Sequence, residues 1–222
     1  MKSITQLYRY CNYLSLDVAC GAMVCASFFS HVLNVQLRPY GLASLGLTVW
    51  IIYTADHLLD ARKLKQAASS QRHRFHQKRF RELSIVLIMA ILIDFSLVLF
   101  VRKPILDWGV GLSLIVLMYL FFQQRLALFK ELVISLLYSA GILLPAMSLT
   151  SVTISYEIII LITFFTLTAF INLVLFSWYD WRHDLADKQV SIVTFAGRES
   201  AKIILTVSFV IQIVFFGTLI LI

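Results

Sequence analysis

The chain predicts an all-α fold: a polytopic transmembrane helical bundle of about seven spans, forming a single transmembrane domain over residues 1–222. Three observations carry this expectation. Hydrophobic residues make up 60% of the chain and charged ones only 14%, and the mean hydropathy is +0.86, far from the soluble norm. Apolar stretches near 14–33, 39–59, 83–101, 106–122, 131–150, 156–177 and 203–222 fit the roughly 20 residues a helix needs to cross a bilayer. No alternating strand pattern appears, and backbone polar groups in hydrocarbon must be satisfied internally, so a helical bundle is favoured over a barrel.

Each stretch has its own signature. The first, 14–33, holds Asp17 after a long polar lead, which reads as a retained span and not as a cleaved signal peptide. The three cysteines, Cys11, Cys20 and Cys25, crowd around it; so few thiols exclude a secreted disulfide scaffold and read as packing groups. The second stretch closes on Asp56, and the third contains Asp94. An ionisable residue within hydrocarbon is expensive, so Asp17 and Asp94 are candidates for an internal network or a substrate contact. The fourth stretch meets the length template. Gly141 and Pro145 interrupt the fifth and predict a kink. Asn172 lies on the sixth, about two turns before Asp180, and is a candidate to line a pocket or to bond within the bundle. The seventh has no mid-helix lysine, which excludes a retinal Schiff base.

The formal net charge of +7 would suit nucleic acid, but the charges lie between apolar stretches, so membrane lipid head groups are the expected partner and nucleic acid is not. With the N-terminus in the cytoplasm, sixteen of the 19 Lys and Arg residues fall on that side, leaving Arg38, Arg102 and Lys103 opposite. The positive-inside rule therefore predicts a cytoplasmic N-terminus, cytoplasmic connections at 60–82 and 178–202, and a C-terminus across the membrane. The first connection reads as a solvated basic loop; His73 and His76, three apart within it, make a weak metal signal without a carboxylate partner.

Five of the eight aspartates fall at two places, both at cytoplasmic span ends. Asp56 and Asp60 read D-H-L-L-D; Asp180, Asp184 and Asp187 read D-W-R-H-D-L-A-D. Helical residues four and seven apart share a face, so each set projects its carboxylates together, where like charges repel unless a cation intervenes. Carboxylate oxygens suit Mg²⁺, which shares its coordination with substrate phosphates. Two facing pairs are thus suited to hold Mg²⁺ around a diphosphate, with Arg62, Lys63, Arg182 and Lys188 beside them for the remaining oxygens. The simpler alternative is that these aspartates only pair with neighbouring cations at the interface. Four spans separate the motifs, which preserves orientation and suggests a parallel duplication of a four-helix unit, with the diphosphate site between the halves at the cytoplasmic face.

On these motifs the chain resembles the UbiA-type intramembrane prenyltransferase superfamily, whose two aspartate-rich motifs follow helices 2 and 6. The family's second motif, with Asp, Asp four on, Ser or Thr eleven on and Gly seventeen on, is met by Asp180, Asp184, Ser191 and Gly197. The first motif aligns on Asp56 and Asp60, with Ile52 and Tyr53 where the family has Asn-Asp, and Lys188 and Val190 depart from the second pattern. The resemblance implies a UbiA-like fold and Mg²⁺-dependent transfer of an isoprenyl group from a prenyl diphosphate to a lipophilic, aromatic acceptor. It implies Asp56, Asp60, Asp180 and Asp184 as metal-binding catalytic residues, and a bacterial inner membrane as the location. Aromatic faces stabilise an allylic cation, which singles out Tyr53, Trp178, Tyr179 and Trp181 at the motifs. The family has nine helices, so seven spans leave the second repeat one short; the expectation is an open flank beside spans 5 and 7, exposed to lipid or covered by a second copy or another membrane protein. Two rival readings are a non-catalytic relative that binds polyprenyl or anionic lipid, and a proton-coupled transporter using Asp17 and Asp94.

Overall fold

The computed structural model describes residues 2–64, 67–126 and 129–221; Lys65, one of the cations of the first connection, and Ile222, the end of the seventh stretch, lie outside them. The described residues form α1 (Lys2–Tyr13), α2 (Leu16–Val32), α3 (Pro39–Lys63), α4 (Gln71–Lys78), α5 (Phe80–Val98), α6 (Lys103–Phe122), α7 (Lys130–Met147), α8 (Tyr156–Ala186), α9 (Ile192–Ala196) and α10 (Arg198–Leu221), with one 3₁₀ turn at Gln123–Arg125. There is no strand among them. Five helices, α3, α6, α7, α8 and α10, are long and apolar enough to cross a membrane, and the bent pair α1–α2 makes a sixth when taken as one span. α5 carries Arg81, Glu82 and Asp94 within its 19 residues.

Two compact units divide the chain, Met1–Gly111 with Ile142–Thr150, and Leu112–Gly141 with Ser151–Ile222. In the first unit α3 is the central helix, packed by α2, α4 and α5. It begins on Pro39 at its first turn, where a missing N–H costs nothing. Ala22 and Ala26 of α2 are fully buried, and the space a side chain at Gly46 would fill is taken by Met23, so small residues let α2 and α3 approach closely. Ala19, Trp50 and Ala90 form a buried cluster joining α2, α3 and α5. Trp50 Nε1 donates to the Leu14 carbonyl oxygen at 2.8 Å, where α1 breaks from α2 through Ser15 at φ 53°, bending the path by 74°.

That break relocates Asp17. It sits in the first turn of α2, exposed, accepting from Asn12 Nδ2 at 2.9 Å, a position that suits a negative charge at a helix N-terminus. Asp94 does lie mid-helix, and its two oxygens accept from Ser44 Oγ and Thr48 Oγ1, each at 2.7 Å, tying α5 to α3.

In the second unit α8 packs along α10 and against α9. Its core is Ile171 and Val174 of α8, Ile192 and Val193 of α9, and Ala201 and Leu205 of α10. Gln212 Nε2 donates to Thr168 Oγ1 at 2.6 Å between α10 and α8. α7 runs unbroken as a helix from Lys130 to Met147, with Pro145 confined to its last turn.

Candidate functional site

Both aspartate motifs ride on helices that outrun the expected spans. α3 has 25 residues and α8 has 31, about 37 and 46 Å at a rise of 1.5 Å per residue, against a hydrocarbon core of about 30 Å. Backbone hydrogen bonding does not stop at the bilayer edge, so the helices continue and carry the motifs on their final turns.

At the first motif Asp60 is buried and pairs with Lys63 Nζ at 3.2 Å, while Asp56 is half-buried. Arg62 and Lys63 are exposed, and Tyr53 is half-buried, edge-on to His57 at 6.4 Å between centroids. His57, inside the motif, is buried. Against it fold His76 and His73 of α4, with ring centroids 4.9 and 6.2 Å from that of His57. The first connection is thus not simply a solvated loop. Ser70 caps α4 by accepting from His73 N at 3.1 Å, Arg74 Nε donates to the Ala68 carbonyl oxygen at 2.9 Å, and Phe75 packs on Tyr10 and Tyr13 of α1. Tyr13 also donates its hydroxyl to Gln71 Oε1 at 2.8 Å.

His76 Nδ1 lies 3.0 Å from the Arg72 carbonyl oxygen. A carbonyl only accepts, so this nitrogen carries the proton. Burial pushes the His76 imidazole below its ordinary pKa, and the charges of Arg72 and His73 push the same way, against that hydrogen bond.

At the second motif Asp180 and Asp184 are half-buried, four residues apart on α8. α8 then ends through Lys188, exposed and left-handed at φ 53°, with Asp187 buried beside it. Ser191 caps α9 in a reciprocal capping box with Thr194. Gly197 has φ 85° and ψ 161°, a conformation essentially reserved for glycine, which lets α9 pass directly into α10. Arg198 then lays its guanidinium over Trp178 at 4.0 Å and Trp181 at 5.4 Å, and Arg182 lies over Trp181 at 5.8 Å. Tyr179 is exposed and edge-on to Trp178, and Asn172 is on an exposed face of α8.

Glu131, which sequence reasoning passed over, is central to this unit. It is buried at the start of α7, and its Oε1 accepts from Ser177 Oγ at 3.0 Å and from the Ile192 backbone N–H at 2.8 Å. One carboxylate oxygen thereby holds α7, α8 and α9 together at the motif.

Within the first unit the structure brings together His57, His73 and His76 beside Asp56 and Asp60; within the second it brings together Asp180, Asp184, Arg182, Arg198, Trp178 and Trp181. No group of three or more His, Cys, Asp or Glu side chains is arranged to hold a metal ion among the described residues; each motif supplies a pair of hard oxygen donors, the donor type that suits Mg²⁺. Comparisons with family models, with characterised proteins and with solved structures yield no match.

Proposed function

We propose that this is a UbiA-like membrane prenyltransferase, moving an isoprenyl group from a prenyl diphosphate to a lipophilic, aromatic acceptor, with Asp56, Asp60, Asp180 and Asp184 as Mg²⁺ ligands. The observation that carries this reading is the form of the second motif. Asp180 and Asp184 sit on the last turns of α8, Ser191 caps α9, and Gly197 occupies a glycine-only conformation. The Ser and the Gly that the family pattern requires at that spacing therefore each have a local physical role in this chain, and the two Asp stand four apart on one helix.

Bound Mg²⁺ would supply neutralising charge for the diphosphate as it departs. The chain's own groups do the rest. Arg62, Lys63, Arg182 and Lys188, all exposed beside the carboxylate pairs, are available to the remaining phosphate oxygens. Tyr53 and Tyr179 offer aromatic faces to an allylic cation, and the apolar bundle keeps water from it. Taking α1–α2 as one bent span and adding α5, whose Asp94 is satisfied by hydroxyls of α3, gives seven spans. The motif ends of α3 and α8 then face the cytoplasm of a bacterial inner membrane, as the positive-inside distribution favours.

The test is Mg²⁺-dependent thermal stabilisation by geranylgeranyl diphosphate in detergent. Wild type is expected to be stabilised, whereas Asp180→Asn and Asp184→Asn fold and lose the effect, as do Asp56→Asn and Asp60→Asn. Each variant is read against its own midpoint without ligand, because Asp60→Asn also loses the pairing with Lys63. Equal stabilisation of wild type and the Asp180 and Asp184 variants would leave the carboxylates as interfacial charge partners only. A second reading, a non-catalytic relative that binds polyprenyl or anionic lipid, is favoured by Ile52 and Tyr53 standing where the family has Asn-Asp. Binding without turnover would select it.

A further inference from the structure

The positive-inside distribution leaves only Arg38, Arg102 and Lys103 on the side away from the motifs. The two arginines belong to different connections, one before α3 and the other before α6, but the fold gathers them. Both line one groove of the first unit. It lies at the Pro39 end of α3, the end away from the first motif. Its walls are half-buried and apolar, from Leu37, Val101, Ile105 and Leu149. Thr150 Oγ1 donates to the Leu33 carbonyl oxygen at 3.0 Å, so the Leu149 wall is held against the connection that carries Leu37 and Arg38.

The polar character of the groove selects an anion. No carboxylate is among its lining residues, and among the described residues neither guanidinium has a hydrogen bond, an ion pair or a ring contact. Two like charges facing one concave surface repel unless an anion intervenes. Each arginine also opens a helix: the Arg38 carbonyl oxygen accepts from the Gly41 N–H at 2.9 Å, and that of Arg102 from the Ile105 N–H at 3.0 Å. The positive ends of α3 and α6 therefore add to the same field. Planar guanidinium groups match the oxygens of a phosphate.

The apolar walls and the surrounding aromatics make that anion the head of a lipid. Tyr40, exposed next to Arg38, packs on exposed Phe100 with centroids 5.6 Å apart, and Trp108 is exposed one turn beyond Ile105. Tyr and Trp so placed mark the head-group level of a bilayer. A Cβ added at Gly41, which also lines the groove, meets nothing within 4 Å, so there is open space along α3 beside the charges.

We propose that this groove binds an anionic glycerophospholipid of the leaflet opposite the aspartate motifs. Its phosphate sits between Arg38 and Arg102, and an acyl chain runs against Leu37, Val101, Ile105 and Leu149.

The test uses the full chain with Cys11, Cys20 and Cys25 replaced and Tyr40→Cys carrying bimane beside the groove. The protein is placed in phosphatidylcholine nanodiscs with a brominated lipid as quencher. Brominated phosphatidylglycerol is expected to quench more strongly than brominated phosphatidylcholine at the same mole fraction. Each arginine is expected to contribute about fivefold to that preference, the usual worth of one cation at an anionic lipid surface. Arg38→Gln and Arg102→Gln each lose that share, and the double variant treats the two lipids alike. Gly41→Leu keeps both arginines, fills the groove with a residue that suits a helix better than glycine, and is expected to lose the preference as well. Lys78→Gln, an exposed cation of α4, is expected to keep it. Equal quenching by the two lipids before any of these changes overturns the proposal, and so does a preference that survives the double arginine variant or Gly41→Leu. Loss of the preference in millimolar inorganic phosphate at constant ionic strength makes the site one for a free phosphate ion and overturns the lipid assignment. None of these readouts involves the aspartates, so the outcome stands apart from that of the prenyl diphosphate test.

Discussion

At the scale of single residues, backbone geometry and hydrogen bonding divide the work at the second motif. Gly197 meets no neighbour within 4 Å of an added Cβ, so an alanine there would pay only for its φ of 85°. Gly197→Ala is expected to destabilise the protein by about 1–3 kcal/mol through backbone strain alone, read as a lowered unfolding midpoint in detergent. An unchanged midpoint would mean that α9 and α10 can meet through an ordinary conformation. Asp94 illustrates the opposite case. The sequence marks it as a functional suspect because it is a carboxylate in an apolar stretch, but its two hydroxyl donors come from α3, 50 and 46 residues away. Local pattern cannot register partners at that separation. Glu131 escaped for the same reason, its donors lying 46 and 61 residues on.

At the scale of elements, the apolar helices were legible because hydropathy over a bilayer's length is a strong and local signal. Their ends were less so, since nothing in hydropathy stops a helix that continues into water, as α3 and α8 do. The break between α1 and α2 was illegible: Ser15 adopts its left-handed turn with neither Gly nor Pro to mark it. The docking of α4 was hidden because a run such as RHRFHQK reads as solvated, and only the fold supplies His57 as its counterpart. That docking carries a pH dependence. A buried His76 whose pKa lies below the unfolded value of about 6.5 contributes its full share of stability above that pH. The share is lost as pH falls, because the unfolded segment takes up the proton first. Arg72 and His73 on α4 and His57 on α3 face it, and none of them offsets an added positive charge. Hydrogen exchange of residues 71–78, corrected for intrinsic rates, is expected to be faster at pH 5.5 than at 7.5, and the difference should shrink in His76→Leu. Equal protection at both pH values would show that the imidazoles are not what holds α4.

At the scale of the whole molecule, the proposed orientation in the membrane rests on where the cations fall. Once Cys11, Cys20 and Cys25 are replaced, single cysteines at positions 74 and 188 are expected to react with an impermeant thiol reagent from the same side, and one at position 102 from the other. Labelling of all three from one side would remove a span and, with it, the basis in the sequence for proposing a parallel repeat.

The stacking of Arg198 over Trp178 gives the second motif an optical property. The chain has four tryptophans, of which Trp50 and Trp108 belong to the other unit. The Trp50 indole is held by its bond to the Leu14 carbonyl, whereas Trp178 has a cation 4.0 Å above its ring and an indole N–H that is buried and unpartnered among the described residues. A guanidinium held against a ring face perturbs the indole electrostatically. Any anion that draws Arg198 away therefore changes the emission of Trp178 and of Trp181, which the same guanidinium also overlies at 5.4 Å, and occupancy of the motif becomes visible in the protein's own ultraviolet fluorescence, without a label.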